Sequence, residues 1–78
     1  LITGPQIRAA RGLLRWSLEQ LASETGLSRN ALQKIEAANG IPPGRAVTIA
    51  TIEATIKRAG IVIIEADAEG GSGVRFQK

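Results

Sequence analysis

Between residues 17 and 38 the chain has room for two short helices and almost nothing to join them. Leu18, Leu21 and Ala22 recur at helical spacing over about 18–25, and Leu32 and Ile35 do so over about 28–38. The joint is the four residues Thr25, Gly26, Leu27 and Ser28. So short a link cannot lay two helices antiparallel, so they must cross at a steep angle. Gly26 is the residue type that most easily takes the left-handed conformation ending a helix, and Leu27 is left to plug the corner. A fold built on this corner needs other helices to cover its apolar sides.

Those helices are announced on either side. "TGPQ" places Thr3 at an N-cap, Pro5 in the first turn and Gln6 at the reciprocal capping-box position, opening a helix over about 3–16 lined by Ile7, Ala10 and Leu14. "SLEQ" repeats the pattern, with Ser17 as cap, Glu19 near the positive helix end and Gln20 in the reciprocal position. Ser28 is a third cap with no acidic or amide partner at residue 31. "NGIPPG" over 39–44 cannot continue a helix. Beyond it Ile49, Ile52, Ile56 and Ala59 form one apolar stripe over about 46–59, closed by Gly60. The period then changes: "IVIIE" is strand-like, "ADAEGGSG" is a turn-rich loop and "VRFQK" is a second short strand. The expected fold is mainly α, a four-helix bundle over residues 1–60 with a β-hairpin tail over 61–78, all in one compact domain.

Composition removes several function classes. Seventy-eight residues lie near the lower limit for a self-sufficient core, and with no Cys or His there is no disulfide or thiolate metal site to staple it. Packing of Ile, Leu and Val must hold the fold, with a second subunit as a further source of burial. Without His, Cys or Tyr there is no Ser–His or Cys–His nucleophile pair, and "GGSG" precedes a strand, unlike a phosphate loop, which opens a helix. No enzyme, metal or cofactor is expected. "IVII" is too short to span a bilayer and the N-terminus lacks a signal-peptide profile, so a soluble, cytoplasmic protein without membrane contact is expected.

The net charge is +3, unevenly spread: residues 1–60 carry eight Arg and Lys against four Glu, and residues 61–78 carry two against three acids. A basic body suits a polyanion partner. The steep corner leaves the start of the 28–38 helix protruding, where Arg29, Asn30, Gln33 and Lys34 lie. Taken alone they favour a merely solvated face over a reading face.

The segment "IRAARGLLRWSLEQLASETGLSRNALQKIEAANG" resembles the helix-turn-helix domains of the phage repressor and Cro-like class, the XRE family. The matching features, in order, are an Arg in helix one, a Ser cap before helix two, "LA" within it, "GLS" at the turn and "IE" closing helix three. The resemblance covers about residues 4–58, and the tail is similar to that of a subgroup of small bacterial regulators ending in a strand, a Gly-rich loop and "GVR". It implies a lambda-repressor-like bundle whose third helix enters the major groove of double-stranded DNA. By position it makes Arg29, Asn30, Gln33 and Lys34 base contacts, with Lys34 able to reach a phosphate instead. Arg15, Ser17, Ser28 and Arg45 become phosphate contacts, and Ala31 is small enough for close approach. Arg11 and Glu36 match the family's structural pair.

One position departs from the pattern: the family commonly begins helix two Ser-Gln, whereas here Leu18 follows Ser17. A Leu cannot make that polar clamp, and is left to contact the stem of Arg29 or a partner surface. Trp16 is assigned to core packing, and Arg8 and Arg58 to solvated helix charges within reach of a phosphate. The four apolar residues of "IVII" suggest burial on both faces, one against the fourth helix and one against a second subunit. The dimer interface is therefore expected at Ile61, Val62, Ile63, Ile64, Val74 and Phe76. The function expected is transcription regulation by a dimer on a palindromic operator, as repressor or activator. The alternative is an antitoxin-like or adaptor module whose tail binds another protein, with DNA binding secondary or absent.

Overall fold

The computed structural model describes residues 2–78. Four helices, α1 (Gly4–Leu14), α2 (Leu18–Thr25), α3 (Arg29–Ala37) and α4 (Ala46–Arg58), precede an antiparallel pair of strands, β1 (Ile61–Ile64) and β2 (Gly73–Phe76). The elements are those expected, a four-helix bundle followed by a C-terminal hairpin.

Each helix begins where its cap allows. Thr3 Oγ1 accepts from the Gln6 backbone N–H, and Gln6 Oε1 accepts from the Thr3 N–H at 2.8 Å, completing the box. At Ser17 only half of the expected box forms. Its Oγ accepts from the Gln20 N–H at 3.0 Å, but the Gln20 side chain turns outward and donates to Glu24 at 2.8 Å. Both residues are exposed, so the i,i+4 bond competes with the reciprocal cap. The first helix stops two residues earlier than its periodicity suggests, because Arg15 sits in the left-handed region at φ 57. Its N–H and that of Trp16 close the turn on Gly12 and Arg11.

The core is Ile2, Ile7, Ala10, Leu21, Leu32, Ile35, Ile49, Ile52, Ile56 and Ile61, with Leu14, Trp16, Leu18, Leu27, Ile63 and Val74 packed at its margin. Every helix and the first strand contribute to it. The start of α1 presses on the end of α3: the Gly4 N–H donates to the Gly40 carbonyl at 3.0 Å, and a Cβ on Gly4 would collide with the Ala38 carbonyl oxygen. Only glycine permits that approach. Arg11 spans from α1 to α3, its Nε and Nη2 lying 2.9 and 3.0 Å from the two carboxylate oxygens of buried Glu36, while Nη1 donates to the Trp16 carbonyl. The Glu36 hydrogen bond keeps the Arg11 guanidinium above its ordinary pKa. Arg8 is exposed but is not a merely solvated charge, since its guanidinium donates to the Glu36 carbonyl.

The hairpin is held by its own chain. Its register pairs Ile61 with Phe76, Val62 with Arg75, Ile63 with Val74 and Ile64 with Gly73. Alternation puts the first and third pairs on the face toward the helices. Ile61 is buried, Ile63 and Val74 pack against the core, and Phe76 at the end stays 46% exposed. Buried Gln6 then fastens the far end. Having capped α1, its Nε2 donates to the carbonyls of Ile64 at 2.9 Å and Gly73 at 3.0 Å. In the loop, Asp67 Oδ1 accepts from the Glu69 and Gly70 N–H groups, an Asx turn that tightens the return. The "IVII" run is thus not buried on both faces within the chain, for Val62 and Ile64 on the outer side are only half-buried.

Candidate nucleic-acid interface

The turn between α2 and α3 is set by local bonds. Gly26, at φ 76, donates to the Ala22 carbonyl at 2.8 Å and ends α2. Thr25 Oγ1 donates to the Leu21 carbonyl at 2.8 Å and accepts from the Leu27 N–H at 3.2 Å. That bond turns the chain and sets Leu27 half-buried against the core, as its corner position suggested. Ser28 then caps α3 by accepting from the Ala31 N–H at 3.1 Å. The single-sided cap is enough to start a helix whose inner face is Leu32, Ile35 and Glu36.

The outer face carries Arg29, Asn30, Gln33, Lys34 and Ala37, all exposed. At about 100° per residue these five positions span an arc of only about 140°, one continuous polar face. Asn30, Gln33, Lys34 and Ala37 line a shallow depression along it. A second, more apolar groove, lined by Ala31, Lys34, Ile35, Pro43, Gly44 and Thr48, separates α3 from the approach to α4. The polar face presents a guanidinium, an ammonium and two carboxamides, which carry both donors and acceptors.

Of the residues assigned to phosphate contact, Ser28 and Arg45 adjoin this face. Ser17 and Ser28 are exposed caps of α2 and α3, and each hydroxyl, having accepted from a backbone N–H, keeps its own hydrogen to donate. Arg45 is exposed at the head of α4, next to Gly44 in the groove wall, and its side chain makes no capping bond. Arg15 stands apart at the α1–α2 corner, held in position by its left-handed backbone. Leu18 is half-buried and packs against the core, and its apolar side chain cannot hydrogen-bond a phosphate.

The sequence reading missed one partner on this face. Glu19, read only as favourable to the α2 dipole, lies 2.7 Å from Arg29 Nε, with both side chains well exposed. Its own backbone N–H, then Arg29, hold the Glu19 carboxyl below the usual carboxylate range. The two residues are ten apart on different helices. No spacing rule within one helix reveals such a pair; the short turn between α2 and α3 brings them together.

A steep two-helix corner with a capped, polar, protruding second helix defines a helix-turn-helix domain. A family model described as helix-turn-helix, of the Cro/C1 or XRE type, matches residues 7–52, more than half of the chain, and the protein belongs to that family. Comparison with curated proteins finds no match. Membership implies DNA binding and is that of a DNA-binding, non-enzymatic domain. Among the described residues no helix is long and apolar enough to cross a membrane.

Proposed function

We propose that the chain is a sequence-specific transcriptional regulator that binds an operator as a homodimer, in the cytoplasm alongside its DNA. The observation that carries this reading is the outer face of α3, whose exposed side chains are of the types that discriminate bases. Arg29 forks onto guanine, Asn30 and Gln33 pair with adenine through their carboxamides, and Lys34 reaches a base or a phosphate. Arg15, Ser17, Ser28 and Arg45 contact phosphates and set register and affinity. One short helix reads too few base pairs to select a genomic site, so two copies bind half-sites about 34 Å apart on a palindrome.

With Ile61, Ile63 and Val74 engaged in their own core, the second copy meets the half-buried Val62 and Ile64, exposed Phe76 and the free strand edge. The test is selection from a randomised duplex pool at near-physiological salt. Enrichment of a palindrome supports the reading, and a single unpaired motif removes the dimer from it. Retention that is blind to sequence and lost with added salt refutes it. A second reading, an antitoxin-like or adaptor module that binds another protein, is favoured by the roughly two-thirds exposure of Ile41 and Val47. Sequence-blind retention would favour it.

A further inference from the structure

Arg29 is the first residue of α3, and among the described residues its guanidinium is the one group on the polar face already paired within the protein. The contact is side-on. Nε donates to Glu19 Oε2, and the two terminal nitrogens, which form the fork that grips guanine O6 and N7, are not part of the bond. Glu19 lies in the first turn of α2, so its carboxylate is carried by helical backbone and bonded to Arg29. An ion pair this exposed contributes little to folding. A carboxylate beside DNA also repels the phosphates, a cost to affinity. The α2 dipole accounts for an acid at residue 19, but neither stability nor non-specific attraction accounts for its pairing with Arg29.

We infer that Glu19 is a positioning residue for base discrimination. It grips Arg29 by Nε, restricts a long and rotamer-rich side chain, and presents its terminal fork to one guanine in the major groove. Charge neutralisation by Glu19 also keeps Arg29 from acting as a free cation on any phosphate. The residue raises specificity from both sides, strengthening the right contact and weakening the indiscriminate one. This rests on the reading of α3 as the base-contacting helix.

The experiment uses the operator recovered by selection, its variants at each base pair and a random duplex, with binding measured for the full chain. Four proteins are compared: wild type, Glu19→Ala, Arg29→Ala and the double variant. Arg29→Ala first marks the base pair that Arg29 reads. Glu19→Ala is expected to lower discrimination at that pair alone by roughly 5-fold, within the range one bidentate contact supplies. On random DNA the same change is expected to tighten binding and steepen the salt dependence by up to about one phosphate contact. In the Arg29→Ala background the Glu19 change should have no further effect on discrimination. A merely structural role would instead lower all positions together.

Full discrimination in Glu19→Ala, with loss in Arg29→Ala, overturns the inference and leaves the base-reading assignment standing. Loss from Glu19→Ala that persists without Arg29 also overturns it, because Glu19 would then be touching the DNA itself. If Arg29→Ala changes no position, the assignment of Arg29 as a reader fails, and the inference fails with it.

Discussion

The corner between α2 and α3 and the junction between α1 and the hairpin are both fixed by a few hydrogen bonds to backbone groups, but over very different distances along the chain. At the corner the bonds to backbone groups are local: Ser17 to Gln20, Gly26 to Ala22, Thr25 to Leu21, Ser28 to Ala31. At the junction one side chain, Gln6, reaches carbonyls 58 and 67 residues away. The corner is specified three or four residues at a time, leaving α3's outer face free to vary with its target. The junction depends on a single buried carboxamide and has no such freedom.

That contrast can be broken most severely at the clamp that belongs to both regions. Arg11→Met removes the cation from a buried carboxylate and is expected to cost on the order of 3 kcal/mol, read by urea unfolding. The low end of the usual range applies because Arg11 is about a quarter exposed. Gln6→Leu leaves the Ile64 and Gly73 carbonyls without their donor and is expected to cost about 2 kcal/mol. Amide hydrogen exchange should show the loss concentrated in β1 and β2, with α2 and α3 protected nearly as before. Ser28→Ala removes a single-sided cap and is expected to cost about 1 kcal/mol in the same unfolding assay. Equal loss of protection in both regions after Gln6→Leu would mean that the junction and the corner form one cooperative unit.

The smallest stability effects are expected where the functional effects are greatest. Asn30→Ala and Gln33→Ala touch no buried group and should shift stability by less than about 0.5 kcal/mol. Their operator affinity, measured by fluorescence anisotropy, should fall by roughly tenfold or more each through lost base contacts. If Lys34 takes a phosphate and not a base, Lys34→Ala should weaken operator and random DNA alike and flatten the salt dependence by about one unit.

The same contrast explains what could be read from the residues alone. The four helices, the corner and the outward set Arg29, Asn30, Gln33 and Lys34 follow from caps, glycine and apolar period, all signals within a few residues of their effect. The Arg11–Glu36 pair was visible only through family resemblance, being 25 residues apart. Gln6 looked like a complete capping-box residue, and nothing local says that its amide nitrogen has a second task. Arg8 looked solvated because a carbonyl acceptor from another helix leaves no mark in sequence. Glu19 was masked by an adequate local explanation, the α2 dipole. Leu18 was read against the family's polar clamp, whereas its half-buried packing follows from the width of the apolar stripe with Leu21 and Ala22.

The central claim, that α3's exposed face reads bases, is tested most directly by titrating operator and random duplex against salt, for wild type and for the Asn30→Ala/Gln33→Ala double variant. For wild type the operator and random lines should stay separated by about a thousandfold or more at every salt concentration. In the double variant they should draw together while keeping their slopes, because base contacts are lost and phosphate contacts are not. Coincident lines for wild type, or an unchanged gap in the double variant, would contradict the account.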